Sequence, residues 1–61
     1  MLIGDRVITI FGKGTIFVEV TMVFGDREFI VRLDEFPSRL TRFRYLNFYE
    51  HQLIKETKDV N

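Results

Sequence analysis

From Thr15 to Phe24 the side chains change character with a period of two: Ile16, Val18, Val20, Met22 and Phe24 share one parity, and Thr15, Glu19 and Thr21 the other. Successive side chains of an extended chain point to opposite faces, whereas an amphipathic helix repeats its apolar positions every three to four residues. The stretch is therefore read as a long β-strand with one buried face. Phe17 and Val23 depart from the pattern, apolar on the face that ought to be wet.

A strand this long needs neighbours, and the flanking sequence supplies them. Val7 to Phe11 is β-branched and aromatic and stops at Gly12, which predicts a first strand. Gly12-Lys13-Gly14 is expected to form the tight turn after it, with Lys13 at the tip. Gly25-Asp26 is expected to close a second hairpin, after which Phe29, Val31 and Leu33 alternate with Glu28, Ile30 and Arg32 in a third strand. Pro37 lacks an amide hydrogen and biases Phe36 to extended backbone, so Asp34 to Ser38 is read as a loop.

Residues 38–54 admit two readings. As one helix capped by Ser38, Leu40, Phe43, Leu46, Leu53 and Ile54 form a stripe, but Arg39, Arg42 and Glu50 fall inside it and Tyr45 and Phe48 outside. As a strand, Thr41 to Asn47 sets Phe43 and Tyr45 against Arg42 and Arg44, which suits a pleated surface better. On that reading Phe48 to Gln52 is a short helical turn, Leu53 to Lys55 a last short strand, and 56–61 a frayed tail. The expected architecture is a single all-β domain over 1–61: a small SH3-like barrel of about five strands with a helical turn before the last.

Sixty-one residues lie near the lower limit for independent folding, and without cysteine neither a disulfide nor a thiolate zinc site can staple the chain. The apolar core, 46% of the residues by composition, has to hold it together. Met1-Leu2-Ile3 runs at once into Gly4-Asp5, with no secretory apolar region and no membrane-length run, so a cytoplasmic location is expected. Nine basic and nine acidic residues cancel, yet 36–49 holds three arginines and no acid. Positive charge is concentrated in that segment.

Gly-Asp-Arg-Val at 4–7, Gly-x-Gly-Thr-Ile at 12–16, Phe-Ile-Val-Arg-Leu-Asp-Glu at 29–35 and Tyr-Glu-His-Gln-Leu at 49–53 resemble the cadence of SH3-like barrels of the Tudor/KOW type. That group includes the C-terminal domain of bacterial repair helicases and polymerase-binding domains of transcription regulators. The resemblance implies a binding module that contacts transcription or DNA-repair machinery. Such a module at this size suits a small phage- or plasmid-type accessory protein. Leu46-Asn47-Phe48-Tyr49 also resembles the Val-Gln-Ile-Tyr stretch of the plasmid-borne type II dihydrofolate reductase, with Asn and Phe where that family has Gln and Ile.

Catalytic equipment is sparse. His51 is the only histidine and Ser38 the only serine, so a nucleophile and its base would have to be this one pair. Asp34 and Glu35 are adjacent and, on a strand, point to opposite faces. No metal centre, cofactor or enzymatic role is expected. Two binding signals remain. Phe17, Val23 and Ile30 add apolar surface that a protein partner or a second copy would cover, unless strand two bends so that its halves bury opposite faces. The Arg39-to-Tyr45 segment places arginines beside aromatics, which either form an ordinary solvated face paired with acids such as Glu19 and Glu28 or make contacts. The expected protein-binding residues are Phe17, Arg42, Arg44 and Tyr45. The alternative is a nucleic-acid binder using Arg39, Arg42, Arg44 and Tyr49 to neutralise phosphates and stack on bases.

Overall fold

A computed structural model describes residues 1–20 and 25–57. The expectations that fall on 21–24 and 58–61, among them the far end of the long strand with Met22, Val23 and Phe24, lie outside the described residues. Five antiparallel strands form one sheet in the order β4-β3-β2-β1-β5: β1 (Arg6–Thr9), β2 (Gly12–Val20), β3 (Glu28–Leu33), β4 (Tyr45–Tyr49) and β5 (Ile54–Lys55). A 3-10 turn, Glu50–Gln52, stands before the last strand. The first four strands follow one another across the sheet, and β5 returns to pair with β1. This is the all-β, barrel-like arrangement that the alternation and turn residues predict.

One face of the sheet carries the core of Val7, Ile16, Phe29, Val31, Leu33 and Phe48, closed at the end of the chain by Leu53. Met1 and Leu46 pack against it. Each such side chain contributes about 1.5–3 kcal/mol on burial, and no crosslink assists them. Arg27 covers the core at the β3 entrance, with its guanidinium 5.1 Å from the centre of the Phe29 ring. It donates to Glu19 at 2.6 Å and to the Met1 carbonyl at 3.0 Å.

The first hairpin differs from its expected form. Thr9 pairs with Gly12, so the chain reverses through Ile10-Phe11, and Gly12-Lys13-Gly14 opens β2 rather than forming the turn. The Thr9 hydroxyl accepts from the Phe11 amide at 3.0 Å and donates to the Gly12 carbonyl at 2.9 Å, which supplies the turn chemistry locally. Of the two glycines only Gly12 has a positive φ, +116°. Gly14 is needed for proximity: a Cβ there would lie 2.6 Å from the Arg32 carbonyl oxygen and 2.7 Å from Val31 Cγ1.

β2 also departs from simple alternation. Ile16 faces Val31 but Val18 faces Ile30, leaving Phe17 as the extra residue of a β-bulge. The bulge inverts the parity of the remainder of the strand. Ile16 points into the core, while Val18 and Val20 sit half-buried on the outer face across from Ile30 and Glu28. The strand changes face at the bulge, but Val18 and Val20 are only half-buried there and Phe17 stays exposed, so its apolar excess is not taken up within the sheet.

In the last third, the helix over 38–54 does not form. Strand pairing begins at Tyr45 rather than Thr41, and Phe48 and Tyr49 belong to β4 instead of the helical turn. The turn is confined to Glu50–Gln52 because the Gln52 side chain accepts from the Tyr49 amide at 2.8 Å and caps it there. Leu53 precedes the short β5 rather than joining it.

Candidate functional site

The bulge turns Phe17 outward on β2, and Tyr45 opens β4 two strands away. Their rings meet edge to face at 5.1 Å across β3, where Ile30 and Arg32 lie between them. Such contacts are worth about 0.5–1.5 kcal/mol beyond burial. Both rings nevertheless remain open to solvent, Phe17 at 55% and Tyr45 at 47%. With half-buried Val18 and Ile30 beside them they form an apolar patch on the outer face.

Charge around this patch is sorted. The carboxylates of Asp5, Glu19, Asp26, Asp34, Glu50 and Glu56 each lie within ion-pair reach of Arg6, Lys13, Arg27, His51 or Lys55. Glu28 accepts from the Asn47 amide at 3.0 Å. Arg6 binds Asp34 at 2.7 Å and Thr15 at 2.9 Å, which holds the Asp34 carboxyl below the usual range and raises the guanidinium. The hydrogen bond from Arg27 lowers Glu19 in the same way, and the Leu2 backbone amide, with Lys55 adding to it, lowers Asp5.

Among the described residues no carboxylate reaches Arg32, Arg39, Arg42 or Arg44. Pairing of Arg42 and Arg44 with Glu19 and Glu28 therefore does not occur, since those acids are taken by Arg27 and Asn47. A chain of zero net charge thereby carries a local excess of arginine, because six of its nine acids lie beside other basic groups and Glu28 is held by Asn47.

The expected contact residues fall into two groups. Phe17 and Tyr45 come together. Arg44 turns toward the 34–36 loop, 5.5 Å over the Phe36 ring and donating to the Asp34 carbonyl at 3.2 Å. Arg42 and Arg39 line an open cleft of about 700 Å³ with Phe36, Ser38 and Thr41. Tyr49 stands at the far end of β4, about 13 Å along the strand from Tyr45, stacked on His51 at 5.9 Å. Arg39, Arg42 and Arg44 therefore do not share a surface with Tyr49. Arg32, which no sequence signal singled out, is the arginine directly across from Tyr45, and only the pairing of β3 with β4 brings it there.

The Ser38 hydroxyl is bonded to Thr41, and the His51 imidazole to Asp26 at 2.8 Å. Among the described residues no group of three or more potential ligands converges on a metal position. No helix there is long and apolar enough to cross a membrane. In comparisons with known proteins, no family model, curated protein or solved structure matches this chain.

Proposed function

We propose that the chain is a non-enzymatic binding module that captures a protein partner on the outer face of its sheet, with Phe17 and Tyr45 at the centre and Arg32 across from Tyr45 beside them. The supporting observation is that two aromatic rings from non-adjacent strands meet while about half of each stays exposed, a placement that adds little to the core. Aromatic and arginine side chains are the types that carry most contact energy at protein interfaces. The Tudor/KOW resemblance supports a partner in transcription or DNA-repair machinery. The test is affinity capture from the native host with nuclease present, comparing the wild type with the doubly substituted Phe17→Ala, Tyr45→Ala protein. Loss of a captured protein by a variant whose circular dichroism shows it still folded at the capture temperature supports the reading; equal capture by both refutes it.

The sorted charge favours a second reading, in which Arg39, Arg42 and Arg44 bind nucleic-acid phosphates. Tyr49 is too far along β4 to stack a base held by these arginines, so Phe36 takes that role. This reading requires a labelled single-stranded oligonucleotide to bind at low salt and to be released steeply as salt rises. Absence of binding at low salt refutes it.

A further inference from the structure

The two margins of the sheet are unequal. β5 exposes only Ile54–Lys55, whereas β4 offers the five residues Tyr45–Tyr49, and among the described residues nothing pairs with its outer side. Exposed edges are usually guarded by proline, charge or a bulge. β4 is Tyr-Leu-Asn-Phe-Tyr, uncharged and proline-free, and it pairs with β3 without a register shift.

The hydrogen-bonding direction of this edge is determined. The Leu33 amide donates to the Arg44 carbonyl, and the Glu50 amide donates to the Arg27 carbonyl. Bonded and non-bonded pairs alternate along an antiparallel ladder, so Leu46 and Phe48 bond inward to β3. The backbone groups of Tyr45, Asn47 and Tyr49 point away from the sheet. Gln52 already satisfies the Tyr49 amide, leaving its carbonyl, the Asn47 amide and carbonyl, and those of Tyr45.

We propose that a second copy of this chain covers this edge, β4 running antiparallel to β4 about a two-fold axis at Asn47. This register overlaps the whole strand and is self-complementary, as a two-fold interface must be. Asn47 exchanges two backbone bonds with its counterpart, and each Tyr45 amide donates to the other copy's Tyr49 carbonyl. Tyr45 then lies across from Tyr49 on the outer face, and half-buried Leu46 across from Phe48 on the core face. Arg44, held in its own chain by the Phe36 ring and the Asp34 carbonyl but by no carboxylate among the described residues, comes level with the other copy's Glu50, whose one basic contact among those residues is Arg27 at 3.5 Å. A slip by one residue would set outward-pointing groups against inward-pointing ones. Slips by two residues leave part of β4 uncovered and lose the Arg44–Glu50 pairing. The proposal goes beyond protein capture on the outer face, and its test involves no other protein.

The experiment is sedimentation velocity on the full chain from about 5 to about 200 µM. The weight-average mass is expected to rise from 7.3 kDa toward twice that value. Asn47→Pro removes the outward amide at a position where an edge strand tolerates proline, and should remain at 7.3 kDa with an unchanged circular dichroism spectrum. Arg44→Glu and Glu50→Arg should each weaken association about tenfold, and the double charge swap should recover most of it. A wild-type mass of 7.3 kDa throughout overturns the proposal. So does an Asn47→Pro protein that associates like the wild type. If that variant does not fold, the charge swap decides, and a double variant no tighter than either single one overturns the proposal.

Discussion

Alanine at Gly14 should destabilise this domain for a different reason than alanine at Gly12, although the two glycines sit two residues apart in one strand. At Gly14 the added Cβ meets the Arg32 carbonyl oxygen at 2.6 Å and Val31 Cγ1 at 2.7 Å. The carbonyl belongs to the interior strand β3 and cannot retreat without opening the β2–β3 ladder. Overpacking of this kind costs about 1–3 kcal/mol. For a domain of this size each kcal/mol lowers the melting temperature by roughly 4–8 °C, so Gly14→Ala should melt about 8–16 °C below the wild type for a mid-range cost. At Gly12 nothing lies within 4 Å of the added Cβ, and the cost comes from the +116° φ alone. Chemical synthesis separates the causes. D-alanine at position 12 suits a positive φ and should restore the wild-type melting temperature. Melting is followed by far-ultraviolet circular dichroism at low protein concentration. A Gly14→Ala protein that melts within about 2 °C of the wild type would refute the close approach of β2 to β3.

Phe29→Ala should cost about 3–5 kcal/mol. That is most of the roughly 3–9 kcal/mol available to a chain this short, so urea titration should find the variant largely unfolded at 37 °C. Phe17→Ala should cost about 0.5–1.5 kcal/mol, the worth of its edge-to-face contact with Tyr45, and a loss of about 3 kcal/mol or more would place Phe17 in the core rather than on a contact surface. The lowered carboxyl groups of Asp5, Glu19 and Asp34 contribute stability that is complete above their ordinary values of 3.8 for Asp and 4.5 for Glu and is lost as pH falls through the lower folded values. Melting temperature should therefore be flat from neutral pH to about 5 and fall below about 4, and Asp34→Asn should flatten part of that fall.

The barrel-like sheet was legible because its signals are local. Alternation at Phe29, Val31 and Leu33 follows from where successive side chains of one strand point, and the breaks at Pro37 and Gly25 are properties of single residues. Charge concentration over 36–49 was legible in the same way, as was the exposure of Phe17. The features that could not be read depended on pairing across the sheet. Whether Gly14 serves a turn or a close approach depends on Arg32, eighteen positions later, and the change of face after Ile16 depends on the Val18–Ile30 register.

The candidate site divides along the same line. Phe17 and Tyr45 could each be named from sequence, but their contact across β3 and the arrival of Arg32 beside Tyr45 exist only in the folded sheet. Which acids are held by Arg6, Lys13, Arg27 and Lys55, and hence which arginines are left over, is likewise a result of three-dimensional proximity. The order of residues determines backbone preference and the alternation of faces within a strand. Register, bulge and charge partners are determined by contacts between segments far apart in the chain, and those contacts form only when the sheet closes over its core.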